Sequence, residues 1–123
     1  MDRGEFLVAC LCARWCHICN AYQAGFLALA ARFPGAEFRW IDIEDEAELV
    51  GDFEVEDFPT LLVQRAERVL FYGPMPPMHG HLARMLDMFA AQSAEESRAY
   101  ALGSDERRSW QDSRNLRALL EGS

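Results

Sequence analysis

The sequence contains no lysine, because all twelve of its basic residues are arginine. Chemistry that proceeds through a lysine Schiff base is therefore excluded, and so is a proton relay assisted by a lysine ammonium group. Acidic residues outnumber basic ones, and the net charge is −8. This charge argues against general binding to nucleic acid or to an anionic membrane surface.

Hydrophobic runs long enough to cross a membrane are also missing. The segment Met1 to Glu5 leads straight into the first apolar run, so we expect no secretory leader. We therefore expect a cytoplasmic protein, in which a cysteine pair indicates reactive thiols rather than a structural disulfide. The length of 123 residues is sufficient for one domain with its own core.

The most informative motif is the tetrapeptide Cys16-His17-Ile18-Cys19, which directly follows Trp15. Two cysteines with this spacing at a helix start lie one turn apart, so their sulfurs can form a disulfide or remain as two thiols with little backbone movement. Unpaired backbone N–H groups and the helix dipole favour a thiolate at Cys16. The motif predicts a redox-active dithiol, although the same spacing also supplies half of many zinc sites.

The surrounding pattern predicts alternating strands and helices. An apolar run typical of a buried parallel strand precedes the dithiol, and apolar residues then recur at three and four positions, as in an amphipathic helix. The predicted elements are strand 5–12, helix 16–33, strand 37–43, helix 46–53, strands 60–65 and 69–72, and helix 80–92. Two further helices, starting near Ser93 and Ser104, are expected in the tail.

Together these features resemble the thioredoxin family. The resemblance extends to about Asp87 and rests on the apolar strand, Ala13-Arg14-Trp15-Cys16-His17-Ile18-Cys19, the strand 38–43, and Phe58-Pro59-Thr60. It implies an α/β fold, a three-layer α/β/α sandwich with a mixed four-stranded sheet, in residues 1–92. A C-terminal helical extension, residues 93–123, would pack on the same domain in place of the family's missing first helix, or would serve as an interaction arm.

The resemblance further implies a thiol-disulfide oxidoreductase that reduces protein disulfides. Cys16 would attack a substrate disulfide and Cys19 would resolve the mixed disulfide. The supporting or substrate-binding residues are Trp15, His17, Ile18, Phe58 and Pro59. Pro59 would be a cis-proline facing the dithiol, and Phe58 would offer its backbone to an extended substrate. The expected partners are disulfide-containing proteins and an upstream thiol reductant, with no metal or other cofactor.

Several positions depart from the family pattern. Cys10 aligns with the family's buried aspartate and Trp40 with its lysine, so the usual proton acceptor for the resolving cysteine is absent. Gly25 lies near the family's kink proline and could permit a bend. An imidazolium at His17 would favour the thiolate of Cys16, whereas a neutral exposed ring would do little.

Cys10 and Cys12 have two interpretations. On a strand we expect them to point to opposite faces and to behave as small apolar residues. The alternative is that Cys10 approaches Cys19 and acts as an auxiliary thiol. A zinc site of four cysteines is not expected, because two of the candidate ligands would lie in the middle of a strand with diverging side chains.

Other functions stay open at this point. The segment 73–81, with Met75 and Met78, suits a substrate-docking rim, a plain proline-rich loop, or thioether ligands for Cu(I). The acidic run 42–57 is typical of a solvated surface, or it favours a cationic partner. The alternatives are a disulfide oxidase or isomerase, a copper-handling thiol protein, and a redox-inactive interaction module.

Overall fold

Four strands form one sheet with the order β2-β1-β3-β4 in the computed structural model, which describes residues 5–122. The strands are β1 (Phe6–Cys12), β2 (Ala36–Asp42), β3 (Thr60–Arg65) and β4 (Arg68–Pro74). β1 is parallel to β2 and antiparallel to β3, and β3 pairs antiparallel with β4. Every residue of β1 is buried, which explains the unbroken apolar run in the sequence.

Six α-helices within residues 5–122 surround or flank the sheet. They are α1 (His17–Ala28), α2 (Ala47–Val50), α3 (His79–Ala90), α4 (Ala94–Ala101), α5 (Asp105–Ser113) and α6 (Leu116–Gly122). Short 3₁₀ turns, Leu29–Arg32 and Gly51–Phe53, extend α1 and α2. No helix within residues 5–122 has the length and apolarity needed to span a membrane.

Two apolar clusters hold the helices on opposite faces of the sheet. The first cluster joins alternate residues of β1 to α1 and α3, and it includes Val8, Cys10, Cys12, Cys19, Tyr22, Phe26, Leu82 and Phe89. The second cluster joins the other β1 residues to α2 and α6, and it includes Leu7, Ala9, Leu11, Val50 and Leu116. Helices therefore cover both faces, and the predicted three-layer sandwich with a mixed four-stranded sheet is confirmed.

The tail 93–122 passes from one face of the sheet to the other around the edge strand β4. In α4, Ala101 joins the first cluster, whereas Leu116 of α6 joins the second. Between them, the Gln111 side chain contacts the backbone of Val69 in β4. The tail helices thus pack on the sheet, and the proposed division of the chain at residue 93 stays a prediction.

The third tail helix, α6, was not predicted separately from α5. Its start is set by Asn115, whose Oδ1 accepts the Ala118 N–H at 3.1 Å and the Gln64 amide at 2.7 Å. Gln64 is a buried residue of β3, so its amide needs such partners. The break between the two helices therefore satisfies a polar group in the sheet, which the tail's own sequence does not reveal.

Gly25 gives α1 room for a close contact with α3. A Cβ atom at this position would lie 2.3 Å from the His79 ring. That ring stacks on Tyr22 with a centroid distance of 4.5 Å, and its Nε2 donates to the Tyr22 carbonyl at 3.0 Å. α1 runs through Gly25 as one helix, so the glycine serves interhelical packing here.

Candidate redox site

Cys16 is the N-cap residue of α1, and its side chain is partly exposed and not bonded to another sulfur. Its N–H donates to the Ala13 carbonyl at 3.0 Å, and its carbonyl accepts the Asn20 N–H at 3.1 Å. The Asn20 amide also donates to the Arg14 carbonyl at 3.1 Å. These hydrogen bonds fix the loop between β1 and α1 and hold an accessible thiol at the helix start.

Cys19 is disulfide-bonded to Cys12, and not to Cys16 as the tetrapeptide suggested. The two Cα atoms lie 5.9 Å apart, which is a usual separation for a disulfide. Cys12 ends β1 and Cys19 lies one turn into α1, so the bond joins the sheet directly to the helix. Both residues are buried, with exposed fractions of 1% for Cys12 and 0% for Cys19.

The expectation that Cys10 and Cys12 point to opposite faces is wrong. Residues two positions apart on a strand share a face, and both side chains lie in the first cluster with their sulfurs 3.6 Å apart. Cys12, which is nearer the end of the strand where α1 begins, is the residue that reaches Cys19. Burial raises the pKa of the Cys10 thiol, so Cys10 stays protonated beside the disulfide.

An aromatic pair lies beside the loop that carries Cys16. The Trp15 and Phe58 rings meet edge to face with a centroid distance of 5.5 Å. The bond between Phe58 and Pro59 is cis, and the Pro59 carbonyl accepts the Met75 N–H at 3.2 Å. Phe58 and Cys16 pack against the same cluster, so three of the predicted site residues share one neighbourhood.

Exposed apolar and polar side chains lie next to each other in this neighbourhood. Trp15 is 63% exposed and Ile18 is 50% exposed, and His17 also faces solvent. Of the two methionines considered for a docking rim, Met78 is exposed, but Met75 is buried in the first cluster. Met75 therefore supports the Pro59 loop from inside and does not line the rim.

The start of the acidic run is tied to the same loop. Arg14 forms an ion pair with Asp45, and Trp15 Nε1 donates to Glu44 at 3.4 Å. Asp42 Oδ1 accepts the N–H groups of Glu44 at 2.8 Å and Asp45 at 3.0 Å. Desolvation acts to raise the pKa of Asp42, but these hydrogen bonds and the nearby Arg14 outweigh it and leave that pKa below its usual value.

Cys10 takes the position of the family's buried aspartate, and the side chains beside it do not ionise readily. Cys10 pairs with Trp40 across β1 and β2, so the two departures from the family pattern lie side by side. Burial, together with the neighbouring Cys10, raises the pKa of Tyr22 to about 12. In the described part of the chain the buried polar side chains are Thr60, Gln64 and Ser97, none of which is a carboxylate.

A copper or zinc site would need several metal-binding side chains close together. Over residues 5–122, no three His, Cys, Asp or Glu side chains are arranged to hold a metal ion. The sulfurs of Cys12 and Cys19 are bonded to each other. In the segment 73–81, the His79 ring stacks on Tyr22.

Comparison with known proteins gives consistent matches to one family. The family model for thioredoxin matches residues 2–76, more than half of the chain. A putative thioredoxin H10 of Arabidopsis thaliana is 34% identical over 61 residues, which cover 50% of this chain and 40% of the relative. An H-type thioredoxin of Oryza sativa subsp. indica is 31% identical over 61 residues, which cover 50% of each protein.

The chain thus spans about half the length, or less, of these curated relatives. Among solved structures, thioredoxin from Trypanosoma brucei brucei superimposes with a TM-score of 0.63 at 24% identity, covering 71% of this chain and 76% of that one. At this identity the superposition supports the fold.

Proposed function

Because the chain belongs to the thioredoxin family, we propose that it is a thiol-disulfide oxidoreductase that reduces protein disulfides in the cytoplasm. The observation that carries the proposal is the free, partly exposed thiol of Cys16 at the start of α1. The exposed apolar surface of Trp15 and Ile18 beside it suits docking of a protein substrate. An upstream thiol reductant would return the enzyme to its reduced form.

The reaction uses two sulfurs of the reduced protein. The Cys16 thiolate attacks one sulfur of a substrate disulfide, forms a mixed disulfide, and releases the other substrate sulfur as a thiolate that takes up a proton. Cys19, one helical turn further on, then attacks Cys16 Sγ and releases the second substrate thiol. The substrate gains two electrons and two protons, and the enzyme is left with a disulfide.

Turnover of a protein disulfide in the presence of a small thiol reductant tests this proposal. Cys16→Ser should abolish turnover, and Cys19→Ser should accumulate a mixed disulfide between Cys16 and the substrate. Cys10→Ala is the matched control, because Cys10 is free but fully buried. Turnover that survives Cys16→Ser would overturn the assignment of the nucleophile.

The direction of exchange depends on the reduction potential. Titration of the Cys16–Cys19 pair against thiol-disulfide buffers should give a reduction potential of about −270 mV for a reductant. A reduction potential above about −180 mV would indicate an oxidase or isomerase.

A further inference from the structure

We propose that Cys12 is a second disulfide partner for Cys19, so that the oxidised protein moves its disulfide from the Cys16–Cys19 pair to the buried Cys12–Cys19 pair. This inference rests on the proposed function, because a substrate must first oxidise the Cys16–Cys19 pair. The resulting protein has lost two electrons to the substrate and still presents the Cys16 thiol.

Cys19 lies between two possible sulfur partners. On one side Cys16 precedes it by one helical turn, and on the other Cys12 is close enough to be bonded to it, with the Cα atoms 5.9 Å apart. All three residues pack in or against the first cluster. The exchange therefore moves a bond among three sulfurs that lie at the junction of β1 and α1.

The exchange is a balanced internal step. The sulfur of Cys12 attacks Cys19 Sγ in the Cys16–Cys19 disulfide, the Cys12–Cys19 bond forms, and Cys16 leaves as a thiolate. The proton lost by the Cys12 thiol is taken up by Cys16. No electrons are gained or lost in this step, because one thiol and one disulfide are present before and after it.

Burial favours the Cys12–Cys19 product. An ionised sulfur is costly in an apolar interior, whereas a disulfide carries no charge. The exchange places the two buried sulfurs in the bond and leaves the partly exposed Cys16 as the thiol. Cys10 does not compete for Cys19, because it lies two residues further from the end of β1 at which α1 begins, and its sulfur contacts Cys12 instead.

Dissolved thiols and disulfides can exchange with the buried Cys12–Cys19 disulfide only by way of Cys16. Cys12 is 1% exposed and Cys19 is 0% exposed, so a dissolved thiol or disulfide cannot reach either sulfur. While Cys19 is bonded to Cys12, a mixed disulfide formed at Cys16 has no resolving thiol inside the protein. The oxidised protein would then act at Cys16 as a monothiol until an external thiol releases the bound group.

The arrangement of arginines makes the two disulfides easy to distinguish. Trypsin cleaves after Arg3, Arg14 and Arg32, which places Cys10 and Cys12 in peptide 4–14 and Cys16 and Cys19 in peptide 15–32. A Cys16–Cys19 disulfide stays within one peptide, whereas a Cys12–Cys19 disulfide links the two peptides. Reduced full-length protein is mixed with one equivalent of oxidised glutathione, quenched at intervals with acid and N-ethylmaleimide, digested and analysed by mass spectrometry.

We expect the disulfide within peptide 15–32 to appear first and then to be replaced by the linked pair, with Cys16 alkylated. Cys10→Ala should retain the linked pair, which also identifies Cys12 as the bonded residue of its peptide. The Cys16→Ser variant should no longer form the linked pair rapidly, because it has no exposed thiol that can attack oxidised glutathione.

Three results would overturn the inference. If the wild type reduces protein disulfides but holds only the Cys16–Cys19 disulfide at equilibrium, this inference fails and the proposed function stands. If Cys16→Ser forms the linked pair as fast as the wild type, exchange through Cys16 is wrong. If the linked pair forms but the wild type reduces no disulfide, the bond is structural and both proposals fail.

Discussion

The side-chain amide of Gln111 pairs with both polar backbone groups of Val69, where a further strand would otherwise hydrogen-bond to β4. Its Oε1 accepts the Val69 N–H at 2.9 Å, and its Nε2 donates to the Val69 carbonyl at 2.8 Å. β4 is an edge strand, and unpaired edges are prone to intermolecular pairing. The tail helix α5 therefore caps this edge of the sheet at Val69 through the side chain of Gln111.

Gln111→Ala should destabilise the protein by about 1–3 kcal/mol, because the N–H of the fully buried Val69 loses its partner. Urea unfolding measures the change. Gln23→Ala is the matched control, since Gln23 also lies in a helix but its side chain forms no hydrogen bond within residues 5–122. Equal effects of the two substitutions would contradict the assigned role of Gln111.

Leu116→Ala should destabilise the protein by about 2–5 kcal/mol, because Leu116 is fully buried in the second cluster, which also contains residues of β1 and β3. Leu119 belongs to the same helix but is 40% exposed, so Leu119→Ala should change the unfolding free energy by no more than about 0.5 kcal/mol. If Leu116→Ala and deletion of the chain after Gly103 both leave the melting temperature unchanged, the tail is an interaction arm and not part of the core.

The elements of the sheet and the neighbourhood of Cys16 could be predicted from the sequence, because both depend on local patterns. The unbroken apolar run of β1 and the helical spacing after Cys16 each depend on which residues must be buried. The family motif added the relation between Phe58-Pro59 and the dithiol, which is not a local property. The capping of β4 by Gln111 was not predicted, since an exposed helix and a capping helix have the same polar composition.

The disulfide of Cys19 was missed for a specific reason. Strand periodicity places Cys10 and Cys12 on one face, and the apolar stripe of α1, which contains Cys19, packs on that face. Together these two patterns place Cys10, Cys12 and Cys19 between the sheet and α1. The choice of Cys12 as the bonded partner depends on where α1 crosses the end of β1, which local spacing does not specify.

Asp42→Asn should destabilise the protein at neutral pH and much less in acid. A carboxyl group whose pKa is lowered in the folded state stabilises that state fully above its unfolded pKa of about 3.9, and this contribution is lost as the pH falls through the folded pKa. The difference in unfolding free energy between wild type and variant should thus be constant above about pH 5 and shrink below about pH 4.

Asp112→Asn provides the control for the change of net charge, because Asp112 is exposed and its side chain forms no hydrogen bond or ion pair within residues 5–122. Its unfolding free energy should follow that of the wild type across the same pH range. A pH-independent difference for Asp42→Asn would show that the hydrogen bonds from Glu44 and Asp45 do not depend on the charge.

Trp15→Ala should weaken the binding of protein substrates more than the reaction of Cys16 itself. Trp15 is 63% exposed and contacts Phe58, so it presents a large apolar face beside the thiol. Loss of an aromatic anchor at an interface commonly costs more than about 1 kcal/mol, and each 1.4 kcal/mol is about tenfold in affinity. The KM for a protein disulfide should therefore rise by up to about tenfold.

A small disulfide separates binding from chemistry in this experiment. Oxidised glutathione is too small to need the Trp15 face, so its reaction rate with Cys16 should change little in Trp15→Ala. Leu27→Ala is the matched control, because Leu27 is 45% exposed on α1 but is not part of the surface beside Cys16. Equal losses for the protein and the small disulfide would mean that Trp15 acts on the loop that holds Cys16, since only a change at the thiol itself affects both substrates alike.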